Sequence, residues 1–133
     1  MKVEYLNPPL LCPTYGWTHV ASVTGGKTIY ISGQVSINER GELVGKGDLK
    51  LQTEQAFRNI EIALTASGAT FRDVVKTSLF VVGLRPEHVP ILREVRIRFV
   101  SAETPPVSTL VGVSALVGPD WLIEIEAVAV IPE

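Results

Sequence analysis

The sequence predicts an α+β fold in which two helices pack on one face of a single β-sheet, in the order ββαβαββ. Two segments place apolar residues three and four positions apart, as a helix requires, and five short runs are rich in β-branched residues. Stretches that contain Gly or Pro separate these segments. With 133 residues the chain has the length of one domain, which we expect to span residues 1–133.

The first two strands are predicted over residues 19–24 and 27–34. Between them, Gly25-Gly26 accepts the positive φ angles of a tight turn. The sequence therefore predicts that these two strands pair as a β-hairpin.

The first helix has the clearest pattern in the chain. Apolar residues recur at helical spacing from Leu49 to Ser67, with the apolar positions Leu49, Ala56, Phe57, Ile60, Ala63 and Leu64. Asp48 is able to cap the start, and Gly68 is a natural C-terminal stop.

A second helix is predicted from Pro86 to about Val100. Proline is well suited to the first turn of a helix, and Pro90 one turn later is able to delay or distort the start. The apolar face of this helix is formed by Leu92, Val95 and Phe99.

The remaining strands follow the helices. Val74–Val82 is β-branched and aromatic, which predicts a strand buried on both faces. Val107–Val113 and Trp121–Val130 are predicted strands on either side of a Gly118-Pro119-Asp120 turn. Because both helices pack on one face of the sheet, the other face must be buried by some further packing partner.

The composition disfavours two classes of partner. Twelve Lys and Arg residues against 14 Asp and Glu give a net charge of −2, so the chain has no overall positive charge to attract nucleic acid or an anionic membrane. A small-molecule partner is expected instead. The hydrophobic content of 46% is high for a small domain, which predicts that apolar surface is buried between copies of the chain.

The single cysteine, Cys12, excludes an intramolecular disulfide framework and any multi-cysteine metal site, and it is compatible with a reducing cytoplasm. The N-terminal residues lack the apolar run of a signal peptide, and no segment has the length of a membrane span. We therefore expect a soluble, cytoplasmic protein.

Two carboxylates lie close together on the last predicted strand. Glu124 and Glu126 are two positions apart, so they face the same side at roughly 7 Å from each other. Neighbouring like charges in a desolvated cleft raise a carboxyl pKa, which suits general acid or base chemistry. The alternative for Glu126 is an ion pair with Arg or Lys of a neighbouring strand.

Ser32 and Gly33 close the second predicted strand. Glycine permits close approach to the backbone amides, and the serine supplies a hydroxyl. From the residues alone, a glycine turn with a hydrogen-bonded serine is the simpler interpretation. His19 is a candidate for proton transfer, although a lone histidine at a strand start is more often structural.

Several functional signatures are missing from the sequence. There is no Walker loop, GxGxxG, HExxH or Cys/His metal spacing, so no cofactor and no metal are expected. No nucleophile elbow connects Ser, His and Asp residues, which leaves covalent serine catalysis unsupported.

Four segments together resemble the Rid family (YjgF/RidA). They are Ile31-Ser32-Gly33-Gln34, Asp73–Val81, Pro105–Val113 and Ile123–Val130. Members of this family are small trimeric proteins, many of which hydrolyse reactive imines and enamines. The resemblance implies a chorismate-mutase-like homotrimer with a barrel-like interior and ligand clefts between subunits.

The resemblance also assigns site residues. Glu124 matches the glutamate that handles the hydrolytic water, and Ser32 with Gly33 matches the lining of the intersubunit cleft. Thr109 matches a position whose backbone contacts the ligand. Trp17 matches the aromatic residue, usually tyrosine, that closes the cleft from the N-terminal loop, but an indole has no phenolic hydroxyl to relay a proton.

The chain departs from the family pattern at Val107. Deaminating relatives have an arginine there, which binds the substrate carboxylate bidentately, and an isopropyl group is unable to do so. Arg93 falls where many relatives have an asparagine near the cleft, so it is a candidate substitute. The alternative is that Arg93 is a solvated helix charge beside Arg96 and Arg98.

Three functions follow from these observations. The first is a hydrolase that releases ammonia from a small imine, enamine or amino-conjugated acid. The second is a non-catalytic trimer that binds a small metabolite, which the replacement of arginine by Val107 favours. The third, a ribonuclease or translation inhibitor, is implied only by the resemblance, because such roles have been attached to some family members. The acidic charge balance disfavours it, although Arg93, Arg96 and Arg98 form a local basic group.

Overall fold

The structure is a computed structural model that describes residues 1–133. It contains six strands, two α-helices and a short 3₁₀ helix at Phe71–Asp73 that leads into the fourth strand. The strands and α-helices are β1 (Lys2–Leu6), β2 (Val20–Thr24), β3 (Lys27–Gln34), α1 (Leu49–Ala66), β4 (Val74–Val82), α2 (His88–Arg96), β5 (Val107–Val113) and β6 (Ile123–Ile131).

The main sheet has four strands in the order β3-β6-β4-β5. Strand β6 lies antiparallel to β3 on one side and to β4 on the other, and β5 continues the sheet parallel to β4. Helix α1 packs against β3, β6 and α2. The prediction of an α+β fold with two helices and one principal sheet is therefore confirmed.

The predicted hairpin between residues 19–24 and 27–34 is wrong. Strand β2 pairs instead with β1 in a separate two-stranded sheet, and β3 pairs with β6. Strand β1 was not predicted from the sequence. Gly25 and Gly26 do form the expected turn, with φ angles of 72° and 86°. The pairing differs because β3 buries Ile29 and Ile31 in the core only when it lies beside β6, a partner distant in sequence.

Helix α1 forms where its apolar spacing predicts. The Asp48 side chain accepts a hydrogen bond from the Leu51 N–H at 3.0 Å, and Gly68 follows the helix with φ 77°. The inward face of α1 carries Ala56, Phe57, Ile60 and Leu64, which are among the least exposed residues of the core.

Helix α2 is shorter than predicted, because it begins at His88 rather than Pro86 and ends at Arg96 rather than near Val100. Pro90 explains the start, since the first turn is the only part of a helix where a missing N–H costs nothing. After Arg96 the chain tightens into i→i−3 hydrogen bonds such as Phe99 N–H to the Arg96 carbonyl.

The two faces of the main sheet differ sharply in burial. The residues of β6 that face α1 are nearly inaccessible, namely Ile123, Ile125, Ala127 and Ala129. On the opposite face Tyr30 is 81% exposed. The predicted burial of β4 on both faces holds for one face only within a single chain, because Lys76 is exposed and Ser78 is half-buried. None of the helices is both long and apolar enough to span a membrane.

A buried glutamine connects the start of α1 to the start of β6. The Gln52 Nε2 group donates to the carbonyls of Gly45 at 3.1 Å and Asp120 at 3.0 Å, and Gln52 Oε1 accepts from the Leu122 N–H at 2.9 Å. All the polar atoms of this inaccessible side chain are therefore used. The loop that enters β6 is thereby held at a defined distance from the helix.

Replacement of this glutamine by leucine tests the connection. We expect Gln52→Leu to lower the free energy of unfolding by about 3 kcal/mol, because it leaves the Leu122 N–H and two carbonyls without partners in a buried place. The measurement is urea unfolding followed by circular dichroism.

Gln55→Leu is the matched control, since Gln55 bonds only Asn59 of the same helix and should change stability by less than about 1 kcal/mol. Equal stability of Gln52→Leu and the wild type would contradict the role given to Gln52.

Candidate active site

A β-bulge places Ser32 and Gly33 beside the last strand. Ile31 pairs with Ala127 and Gln34 with Ile125, so β3 advances three residues while β6 advances two. The Gln34 Nε2 group donates to the Ser32 carbonyl at 3.1 Å, and the Ser32 side chain is exposed. Bulges of this kind redirect side chains and are common beside active sites.

The Glu124 side chain lies directly over Gly33. A Cβ atom at position 33 would lie 2.8 Å from Glu124 Cδ and 2.9 Å from its Cγ, closer than such atoms can approach. The absence of a side chain at Gly33 therefore makes the room that Glu124 occupies. Glu124 is half-buried and takes no part in the five ion pairs of the chain, so its carboxylate is available to an incoming molecule.

Glu126 and Thr109 lie on the same open face of the sheet as Glu124. Ser78 of β4 pairs with Glu126 on one side and with Thr109 on the other, which forms a polar row across three strands. Glu126 is exposed and has no ion pair with Lys76 or any other cation of this chain. The alternative suggested for Glu126 from the sequence is thus absent from the single chain.

Val107 begins β5 and is remote from Glu124 of the same chain. Val107 pairs with Lys76, whereas Glu124 pairs with Phe80, so the two residues are separated by four positions along the sheet and two strands across it. Strand geometry converts this offset to roughly 16 Å. One small molecule therefore does not contact both positions within a single chain.

Trp17 and Arg93 lie on the other side of the sheet. They line a cavity of about 240 Å³ that lies between α2, β5 and the N-terminal loop. Its polar wall is formed by Arg93, Arg96 and Ser108, and its apolar and aromatic wall by Tyr15, Trp17, Leu79, Val89, Leu92 and Leu110. The seven residues proposed from the sequence are thus divided within one chain, with two of them in this cavity and five on or beside the open face.

Contacts between α2 and the N-terminal loop hold the two arginines. Arg96 Nη2 donates to the Tyr15 carbonyl at 3.0 Å, and the Arg93 guanidinium lies 5.9 Å from the centre of the Tyr15 ring. Gly16 has φ +72°, and a Cβ atom there would lie 2.8 Å from Arg96 Nη2. Burial lowers the pKa of the Arg96 guanidinium below its usual value, and the nearby charge of Arg93 lowers it further.

His19 supports the loop that carries Trp17. Its ring nitrogen Nε2 lies 2.8 Å from the Cys12 carbonyl oxygen, and its backbone N–H donates to the Asn7 Oδ1 atom at 2.9 Å. The Trp17 and His19 rings meet edge to face at 4.7 Å. These contacts agree with the structural interpretation of His19.

Sequence reasoning did not assign Arg96 or Ser108 to a site. The i, i+3 spacing of Arg93 and Arg96 was the available signal, since it places both on one face of a helix. A larger cavity of about 670 Å³ lies between the end of α1 and residues 99–104, and none of the proposed site residues lines it. No three His, Cys, Asp or Glu side chains are grouped to hold a metal ion.

Comparison with known proteins gives the family. The family model described as Endoribonuclease L-PSP matches residues 12–131. The chain belongs to this family, the Rid family. A 2-iminobutanoate/2-iminopropanoate deaminase of Dermatophagoides farinae is 34% identical over 110 residues, which is 83% of each chain.

Two further similarities extend over nearly the whole of this Rid protein. The 3-aminoacrylate deaminase RutC of Acinetobacter baylyi is 30% identical over 125 residues, covering 92% of this chain and 90% of that one. The solved structure of YyfB from Yersinia pestis, a protein of unknown function of the conserved Rid family, has a TM-score of 0.93 at 36% identity and covers 98% of this chain and 100% of that chain.

The contact between Gly33 and Glu124 leads to a double-mutant prediction. We expect Gly33→Ala to destabilise the wild type by about 1 kcal/mol, because the new methyl group displaces the Glu124 side chain. In a Glu124→Ala chain the obstructing atoms are gone, so the same change should be close to neutral. Chemical denaturation of the four proteins gives the coupling energy.

Gly112→Ala serves as the control, because its Cβ atom would meet Leu84 instead and its cost should be equal in both backgrounds. An equal cost of Gly33→Ala in the two backgrounds would refute the contact.

Proposed function

We propose that this Rid-family protein is a deaminase that hydrolyses a small imine, enamine or amino-conjugated acid. The observation that carries the proposal is the unpaired Glu124 carboxylate, held over Gly33 beside the exposed Ser32. The relatives named as imine and aminoacrylate deaminases support the same class of reaction.

The chemistry requires one group that moves a proton. Water adds to the carbon of the C=N bond and one of its protons passes to the nitrogen, which gives a carbinolamine. The carbinolamine hydroxyl then loses its proton to the nitrogen as the C–N bond breaks, which leaves a carbonyl compound and ammonia. In this mechanism Glu124 removes a proton from the attacking water and returns it to the departing nitrogen. An amide or hydroxyl group from Ser32, Gly33 or Thr109 orients the substrate.

The separation of the site residues favours a cleft between copies of the chain. Glu124 and Val107 are roughly 16 Å apart on one face, and Arg93 with Trp17 lies on the other face. A second copy that covers the open face would bring its own residues to the Glu124 carboxylate. Because this separation favours a shared cleft and the Rid family that the chain resembles is trimeric, we propose a homotrimer with its catalytic clefts at the subunit interfaces.

A second candidate function is non-catalytic binding of a small metabolite. Val107 favours it, because the isopropyl group is unable to hold a substrate carboxylate at the position where deaminating relatives have arginine. Binding of RNA has less support. Arg98 is paired with Glu54 and Arg85 with Glu87, while Arg93 and Arg96 line a cavity, so the arginines of this region do not form a free basic surface.

The decisive experiment compares the wild type with Glu124→Gln in the hydrolysis of 2-imino acids. An amino acid oxidase generates the imino acids in situ, and semicarbazide traps whatever is not hydrolysed as a semicarbazone. We expect the wild type to suppress semicarbazone formation and Glu124→Gln to lower the rate at least ~100-fold, because the amide accepts no proton from water.

Glu126→Gln is the matched control two residues along the same strand, and it should retain the rate within a few-fold. Equal rates for the wild type and Glu124→Gln would exclude the mechanism. Activity in Val107→Arg but none in the wild type would establish that the scaffold is intact and that Val107 has removed this reaction, which favours the binding function.

A further inference from the structure

A cavity lies at the end of the main sheet where β4 and β5 begin. Its volume is about 670 Å³, within the range of small-molecule sites, and its walls are α1, the 3₁₀ helix at Phe71–Asp73 and residues 99–104. Glu124 pairs with Phe80, six positions after Val74 at the start of β4, which is roughly 20 Å along the strand. The cavity is therefore separate from the proposed catalytic group.

The floor of this cavity is apolar and is fixed by the core. Phe71 is 7% exposed and Val100 8%, and the Phe99 ring lies beside Phe71 with the ring centres 5.7 Å apart. The Phe99 ring also stacks on the buried Phe57 ring at 5.3 Å. Such a floor offers the apolar part of a ligand a surface that is already in place, so few side chains must be ordered on binding.

One wall carries a free positive charge. Thr70 and Asp73 form a capping box, in which the Thr70 N–H donates to Asp73 Oδ2 at 2.8 Å and Thr70 Oγ1 accepts from the Arg72 N–H at 3.3 Å. The acidic neighbour of Arg72 is thus occupied, and Arg72 takes part in none of the five ion pairs of the chain. The box fixes the backbone of Arg72 at the cavity, while its exposed guanidinium is available to an anion.

The other two walls carry free negative charges. Glu61 of α1 and Glu103 of the segment before β5 line the cavity, and neither is paired with Arg72 or with any other cation. Ser101 Oγ accepts from the Thr104 N–H at 3.2 Å and from the Thr104 hydroxyl at 3.3 Å, so the Ser101 hydroxyl proton is free to be donated. Unpaired charges of both signs thus surround an apolar floor, which is complementary to a ligand that carries both signs.

We propose that this cavity binds a free amino acid that has an apolar side chain. Arg72 receives the α-carboxylate, because a guanidinium donates paired hydrogen bonds to such a group. Glu61 and Glu103 receive the α-ammonium group, and the side chain of the ligand lies on the floor formed by Phe71 and Phe99. A ligand with a single charge leaves the opposite charge of the cavity unpaired. This site does not depend on the proposed deaminase function, since none of the proposed catalytic residues lines it.

Calorimetric titration with L-phenylalanine tests the site without any hydrolysis. We expect phenethylamine, which lacks the carboxylate, and 3-phenylpropionate, which lacks the ammonium group, to bind the wild type at least ~10-fold more weakly than phenylalanine. Arg72→Met should weaken phenylalanine binding ~10-fold and should not weaken phenethylamine binding, because phenethylamine has no group for the guanidinium. The double variant Glu61→Gln/Glu103→Gln should weaken the binding of both compounds, since both carry the ammonium group.

Arg58→Met and Glu42→Gln are the matched controls. Both residues are exposed, unpaired and outside the cavity, so their loss should leave phenylalanine binding unchanged. The cavity variants likewise change only exposed side chains, and thermal unfolding verifies that each variant is folded.

The proposal would be overturned by equal binding of the three compounds to the wild type, by equal phenylalanine binding in Arg72→Met and the wild type, or by no binding at ~10 mM, roughly ten times the upper end of typical KM values. Glu124→Gln should bind phenylalanine as the wild type does. Loss of binding in Glu124→Gln but not in Arg72→Met would place the amino acid in the proposed catalytic cleft and refute this site. A wild type that binds phenylalanine at Arg72 and hydrolyses no imine refutes the deaminase alone.

Discussion

The alternation of β6 is the constraint on which the rest of this structure depends. The strand lies in the centre of the main sheet, with β3 on one side and β4 on the other. Ile123 and Ile125 face α1 and are inaccessible, so Glu124 between them must face the opposite side. A shift of one residue in the register of β6 would place a carboxylate in the core, which is strongly unfavourable. The burial that fixes the register of β6 therefore also fixes the position of the proposed catalytic group. Gln52 supports that register by holding the backbone just before the strand.

Local patterns in the sequence were sufficient for the elements that depend on local chemistry. The bounds of β3, β4 and β5 and the capped start of α1 were predicted, because period, capping residue and turn residues lie within the same segment. Strand β1 was missed and α2 was predicted too long, and the main error in topology was the choice of partner for β3. Gly25-Gly26 indicates a turn, but whether β2 or a strand a hundred positions later lies beside β3 is decided by burial of Ile29 and Ile31 against α1 and β6.

The site shows the same division. Glu124, Ser32 and Gly33 were proposed from motifs, and the bulge and the close contact between Glu124 and Gly33 give those motifs a physical basis. Arg96 was not proposed, because its partner Tyr15 is 81 positions away and no local pattern connects them. The charges that surround Arg96 are known only once the chain is folded, so its electrostatic environment is not predictable from the sequence.

The place of β6 in the sheet also bears on how the protein is made. This strand follows all the others along the chain, yet it lies between β3 and β4. During synthesis β3 therefore leaves the ribosome long before its partner exists, and the growing chain carries unpaired strand edges until the segment around residue 131 has emerged. Such edges are templates for association with other chains, so the order of the strands exposes the nascent polypeptide to aggregation until β6 is in place.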